Sequence, residues 1–253
     1  MNDARWASID AFAEQNRENI LRDITRLVAV PSVEGTPEPG APFGAGPRAA
    51  LDKALEIAAE LGLETYNAEG YIGWAQTGPI ADGQKYLATI THNDVVPEGN
   101  GWDADPYTVR VRDGWILGRG VSDDKGPGIL CLYALKYLKD SGVQLKYPVR
   151  ALMGTNEETH MHDVDYYAAH YPMPAFCFTP DAEFPVCYGE KGGYGGWLVS
   201  APLHGSLIDF QGGVAHNAVP DRAFCTVRVA PDQIELTPGV TKEPGENGTT
   251  VLH

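Results

Sequence analysis

The sequence predicts an α/β protein with a mostly parallel central sheet flanked by helices, followed by the start of a smaller α+β domain. Three observations carry that expectation. Three short apolar runs, Tyr86 to Ile90, Val149 to Met153 and Ala175 to Phe178, each stop abruptly at polar residues. Two helical stretches, Gly128 to Leu138 and roughly Val164 to Tyr171, separate them, and strand, helix, strand, helix, strand reads as parallel strands with crossovers. After Asp181 the texture changes. Gly189, Gly192, Gly193, Gly195 and Gly196 crowd one stretch, short β-like segments follow at 196–200 and 223–229, and a boundary near Val186 divides the chain into 1–186 and 187–253.

In chain order, Ile9, Phe12, Ile20, Ile24, Leu27 and Val28 recur mostly at three- and four-residue steps, an amphipathic helix from Ser8 stopped by Pro31. The Pro- and Gly-rich stretch from Gly35 to Gly46 reads as an exposed loop. Pro47 opens a second helix with Leu51, Leu55, Ala58 and Leu61 on one face and Gly62 at its end. Beyond the first apolar run, Tyr107 to Arg112 and Trp115 to Leu117 flank Asp113-Gly114, a two-residue hairpin signal. The last residues, from Pro238, hold little to bury and end on Val-Leu-His as if a strand were starting.

With 34 acids against 19 bases among 253 residues, the formal charge is −15. A chain of that sign repels phosphate and carries no basic stripe, so nucleic acid is excluded as a partner and cationic ligands are favoured. An apolar fraction of 43% and a charged fraction of 21% exclude disordered and collagen-like classes. Apolar runs fall short of the ~20 residues of a spanning helix, and the N-terminus lacks a signal peptide's apolar core. The four cysteines, Cys131, Cys177, Cys187 and Cys225, are widely spaced and read as buried reduced thiols. The expectation is a soluble cytoplasmic protein with no membrane partner; the oligomeric state is not legible.

Ligands of open parallel sheets bind beyond the carboxyl ends of the strands. The three runs end in His92 and Asp94, in Glu157 and Glu158, and in Asp181, so one rim would gather an imidazole and several carboxylates. Carboxylates gathered without bases raise one another's pKa, whereas a divalent cation resolves the repulsion and takes their oxygens as ligands. His92 and Asp94 stand two apart, on one face of an extended strand, with Asn93 on the other. A carboxylate beside a metal-binding imidazole fixes its tautomer. The Asp123-Asp124 pair precedes a helix, where acids also serve as caps. The inserted hairpin would return Asp123 or Asp124 to the rim as a bridging ligand. Of Glu157 and Glu158, one can bind metal while the other accepts a proton. The rival reading of Glu157-x-x-His160 as a di-iron motif needs a helical bundle, whereas the preceding residues read as strand. His160, His162 and His170 read as lying beyond the rim in a helical stretch, and His204 and His216 follow the boundary.

Four motifs in order, Thr-His-Asn-Asp-Val-Val-Pro, Gly-Arg-Gly-Val-Ser-Asp-Asp-Lys-Gly-Pro, Gly-Thr-Asn-Glu-Glu-Thr and Thr-Pro-Asp-Ala-Glu-Phe-Pro, resemble the dinuclear zinc peptidases. That family holds the acetylornithine deacetylases, succinyl-diaminopimelate desuccinylases, aminoacylases and carnosinases. Within it, Pro97 to Trp102, the Asp-Asp-Lys-Gly-Pro form and Pro-Asp-Ala-Glu-Phe-Pro look like bacterial dipeptidases of the PepV and Sapep type. The resemblance implies a zinc-exopeptidase-like fold and two divalent ions, zinc or else manganese or cobalt, about 3.5 to 4 Å apart. It implies that His92 and Asp181 bind one ion and Glu158 the other, with Asp123 bridging, Asp94 orienting His92 and Glu157 acting as general base. It also implies a cis peptide at Asp123-Asp124, a small peptide substrate, and Asn217 in contact with it. The family's distal His ligand, its lid His and its carboxylate-binding Arg fall beyond this chain, which is therefore expected to be the N-terminal portion of a dipeptidase with weak or no turnover. An N-acyl amino acid deacylase and a truncated non-catalytic metal-binding protein are the rival readings.

Overall fold

The computed structural model describes residues 3–183, 185–192, 195–196, 198–202, 204–213 and 219–253. The chain forms two compact units, one of Met1–Glu98 with Trp102–Cys187 and one of Gly99–Gly101 with Tyr188–His253.

In the first unit, helix α1 (Asp3–Val28) and helix α2 (Ala45–Glu60) precede a hairpin, β1 (Glu64–Ala68) and β2 (Ile72–Gln76). Strand β3 (Leu87–His92) leads to a small hairpin, β4 (Arg110–Arg112) and β5 (Trp115–Leu117), then helix α3 (Lys125–Asp140), strand β6 (Val149–Gly154), helix α4 (His162–His170) and strand β7 (Phe176–Phe178). The sheet order is β1-β2-β6-β3-β7. The sequence-predicted core is there: β3 runs parallel to both β6 and β7, with His92 beside Gly154 and Thr89 beside Phe178. The β1–β2 hairpin, which periodicity did not reveal, adds an antiparallel edge against β6. Its first strand is mostly exposed, so it offers little apolar alternation to detect.

Alternation along the strands separates two cores. Ala151 and Met153 of β6 join Leu27, Leu51, Ile57, Ile129 and Leu132 under α1, α2 and α3. Leu152 faces the opposite way and joins Trp74, Tyr86, Ala88 and Tyr167 under α4. Burying a side chain of this size contributes roughly 1.5–3 kcal/mol, which is why these stripes decide the layering. Arg150 lies in the second core with its guanidinium over the rings of Trp74 and Tyr86, and it donates to Tyr167 Oη and Gln76 Oε1. At the β4–β5 turn Asp113 and Gly114 have φ of 52° and 81°, the left-handed pair that a two-residue hairpin requires.

The second unit holds an antiparallel sheet, β8 (Leu207–Gly212), β9 (Ala223–Val227), β10 (Lys242–Pro244) and β11 (Thr250–Leu252), in the order β10-β11-β9-β8. The strand signal at the end of the chain is β11, which pairs with both β9 and β10. The segment at 196–200 departs from expectation: its described residues form no strand, and Leu198 and Val199 are exposed. Apolar content there is not matched by a neighbouring strand. Among the described residues no helix is long and apolar enough to cross a membrane. Cys131 is the buried free thiol the sequence suggested, whereas Cys177 is exposed and Cys225 half-buried. The buried-thiol expectation therefore fails for Cys187, which is exposed, and for Cys177, because its strand β7 is exposed along its whole length.

Candidate metal centre

The site is built at the carboxyl ends of β3, β6 and β7. At the end of β3 the chain stays beside β6, since Asn93 donates to Gly154 O from its backbone N–H at 2.9 Å and from Nδ2 at 3.2 Å. Ser32 Oγ donates to Asn93 O, and Val95 N–H donates to Ser32 O. These ties hold His92 with its side chain only 3% exposed.

His92 Nδ1 lies 3.0 Å from the main-chain oxygen of Asp94 and 3.4 Å from Asp94 Oδ1. A proton on Nδ1 therefore donates to the carbonyl and leaves Nε2 its lone pair. Nε2 faces Asp123 Oδ1 at 2.9 Å, Asp181 Oδ2 at 3.3 Å and Glu157 Oε2 at 3.9 Å. One ligand atom each from His92, Asp123 and Asp181 all lie within 4.8 Å of one another. Asp123 arrives from the turn before α3, where the Asp123-Asp124 peptide is cis, as the resemblance implies. Asp181 arrives from the segment after β7, its N–H donating to Thr179 Oγ1 at 3.2 Å.

Glu158 stands at the edge of this group. Its Oε1 accepts the N–H of Val96 at 3.3 Å, and its own N–H donates to Asp94 Oδ2 at 3.0 Å. Asp94 thus touches both the imidazole and the glutamate loop. Asn217 and His216 lie outside the described residues. Glu157 to His160 form a turn rather than a helix, which removes the helical context of the di-iron motif, and His160 belongs to this turn instead of α4. His253 pairs with Glu243 at 3.2 Å in the second unit.

The charges are in conflict. The His92 imidazole is raised: burial works against its charged form, and hydrogen bonds to Asp123, Asp181 and Asp94 overcome burial. Asp123 is lowered by its bond to His92. Burial pushes Glu157 up, and pushes Glu158 up to about 7 with the Asp123 charge adding to it. Of two groups beside the cluster, the sequence offered Asp124 as the alternative to Asp123 and did not single out Lys125. Asp124 is fully buried, with Oδ2 accepting the His92 N–H and Oδ1 without a hydrogen-bond partner, and burial raises it to about 8. Lys125, also fully buried, donates to Val30 O at 2.7 Å and is pulled down to about 7 by burial. The Asp-Asp-Lys run was the only available signal for either, and it does not say which acid faces inward. An outward-facing imidazole lone pair, two converging carboxylates and further acids raised by burial and, less, by one another's charge form a donor set that fits a divalent cation.

The Bacillus subtilis protein named "Putative dipeptidase YtjP" is 38% identical over 221 residues, covering 84% of this chain and 47% of that protein. A Staphylococcus aureus (strain USA300) protein with the same dipeptidase designation is 37% identical over 232 residues, covering 88% of this chain and 49% of that protein. The chain therefore spans about half the length of the curated relatives it matches. The crystal structure of human carnosine dipeptidase 1 shares the fold, with a TM-score of 0.56 over 70% of this chain and 41% of that one at 17% identity. Residues 88–202, which supply every member of the cluster from His92 to Asp181, match the family described as Peptidase family M20/M25/M40, so this stretch forms a domain of that family.

Proposed function

We propose that the cluster at the ends of β3, β6 and β7 is the hydrolytic centre of a metal-dependent dipeptidase. The observation that carries this is the convergence of His92 Nε2, Asp123 Oδ1 and Asp181 Oδ2 within 4.8 Å, with Glu157 Oε2 3.9 Å from the imidazole. In this reading His92 and Asp181 hold one divalent ion, Glu158 the other, and Asp123 both; zinc suits the set, as do manganese and cobalt. The ions, when bound, lower the pKa of water and polarise a scissile carbonyl. Glu157, which burial already raises, accepts a proton at its carboxylate and later returns it to the leaving amine. Asp94 keeps the Nε2 lone pair of His92 aimed at the cluster by holding the tautomer from the Nδ1 side. The formal charge of −15 favours a substrate with a free amino end, hence a small peptide, and a cytoplasmic setting suits the reduced thiols. Residues 1–186 are then the N-terminal part of the catalytic domain and 187–253 the beginning of a substrate-covering domain that carries Asn217.

Purified chain loaded with zinc or manganese tests this on β-Ala-His and on its N-acetyl analogue. Measurable hydrolysis of the free-amine dipeptide above the acetylated one is expected. Preference for the acetylated compound would move the assignment to an N-acyl amino acid deacylase. Zinc uptake without hydrolysis of either, unchanged by Glu157→Gln, would leave a metal-binding protein.

A further inference from the structure

The loop between β6 and α4 carries Glu157 and Glu158, and it rests on a buried carboxylate that is not part of the cluster. Asp163, in the first turn of α4, is 1% exposed. Its Oδ2 accepts the N–H of Thr155 at 2.7 Å and that of Asn156 at 3.1 Å, while Oδ1 accepts the N–H of Val164 at 2.8 Å. Gly154 makes room for this contact, because a Cβ there would collide with Asp163 Oδ2. Asn156, itself fully buried, closes the base of the loop: its Oδ1 accepts the N–H of His162 at 3.1 Å, and its backbone O accepts that of Met161 at 2.8 Å.

Two consecutive amides aimed at one oxygen fix the orientation of the peptide planes immediately before Glu157. At the other end of the same four residues the Glu158 N–H is fixed by Asp94 Oδ2. The segment Thr155–Glu158 is thus spanned between two buried carboxylates, one inside the cluster and one behind it. A side chain leaving a backbone so held has its direction set before any ligand arrives, which is what a proton acceptor and a metal ligand both need.

We propose that Asp163 is a positioning residue: by accepting the Thr155 and Asn156 amides it sets the direction in which Glu157 and Glu158 enter the metal centre. The proposal rests on the roles given above to those two glutamates. Asp163→Asn keeps a carbonyl oxygen for the amides, while Asp163→Ser keeps an oxygen for the start of α4 but falls short of residues 155 and 156. In the full chain, Asp163→Ser is expected to speed amide exchange at Thr155 and Asn156 at least tenfold, with β3 and α3 unchanged. Turnover of β-Ala-His is expected to fall about 10- to 100-fold in kcat with KM within twofold, and zinc uptake by His92, Asp123 and Asp181 to stay within twofold. Asp163→Asn should restore kcat to within about threefold, and on a Glu157→Gln background Asp163→Ser should add little.

Unchanged exchange at the two amides would overturn the proposal. So would a general rise in exchange together with lost zinc uptake, since that marks a merely structural residue. Should Asp163→Ser fail to fold, Asp163→Asn together with Asn156→Ala, which opens the base of the same loop, gives the same exchange and kcat readouts. A wild-type chain that takes up zinc yet leaves the dipeptide intact sinks the dipeptidase reading alone, and amide exchange then decides Asp163.

Discussion

Strands β3 and β7 lie side by side and parallel, and each delivers a residue to the cluster, yet they are built differently. On β3, Ala88 is 1% exposed and His92 is 3% exposed; on β7, Phe176 and Phe178 are 61% and 53% exposed. His92 is aimed by a web of main-chain and side-chain bonds, whereas Asp181 is set by a short local bond to Thr179. The difference teaches that the imidazole, whose ring direction matters most, is placed where packing fixes it. The carboxylate, which can approach a cation from several directions, is left on the segment that follows a sparsely packed strand. The half of the sheet under the helices should therefore carry nearly all of the mutational sensitivity.

The sharpest break is expected beyond β6. Glu157→Gln removes the proposed proton acceptor while leaving His92, Asp123 and Asp181 in place, so hydrolysis should fall about 10²–10⁴-fold with zinc uptake unchanged, read by steady-state assay beside calorimetric titration. Next comes a matched pair in the sheet itself. Leu152→Ala, on the buried β6, should cost about 2–5 kcal/mol in denaturant unfolding. Phe178→Ala, on β7, should stay within about 0.5 kcal/mol, and equal losses would erase the contrast.

Asp94→Ala removes the acceptor of the Glu158 amide and the carboxylate charge 3.4 Å from the His92 ring, while the main-chain oxygen that takes the Nδ1 proton stays, and it should weaken zinc uptake by about 10-fold, measured against a competing chelator. The smallest effect lies in the helical layer. Burial works to raise Asp23, but hydrogen bonds from Arg22, Tyr133 and Arg26 outweigh it and leave the carboxyl below its ordinary value of 3.8. A lowered carboxyl stabilises the fold above its unfolded pKa, and that contribution disappears as the pH falls through the folded one. Asp23→Asn should therefore cost about 1–3 kcal/mol at pH 7 and progressively less below pH 3.8, followed by thermal unfolding across pH.

The strand ends were legible because an apolar run that stops at His, Glu or Asp marks both the strand and the chemistry beyond it. His92, Asp123, Glu157, Glu158 and Asp181 all came from that signal or from the motifs around it. The β1–β2 hairpin was not legible: Glu64, Thr65 and Tyr66 are exposed, so one face of the strand carries no apolar pattern. Asp163 was passed over because residues 160–170 read as a helix beyond the rim, and its burial arises from a fold-back onto Gly154 that local sequence does not encode. Asp124 and Lys125 share that difficulty, since a charged run in sequence looks the same whether it faces solvent or core.

The turn between β1 and β2 has a bearing on how this protein tolerates changes in length. Thr155 Oγ1 donates to Tyr71 O at 2.5 Å and to Gly70 O at 3.3 Å, and Gly70, at φ 81°, is packed so closely on Gly40 O that no side chain fits. Hairpin tips are ordinarily the most permissive places for insertions. Here the tip is stitched to the residue two before Glu157, so a lengthened turn would be transmitted to that carboxylate. The β4–β5 tip at Gly114, with open space around it, is the place where this scaffold can absorb extra residues and still keep its acid in register.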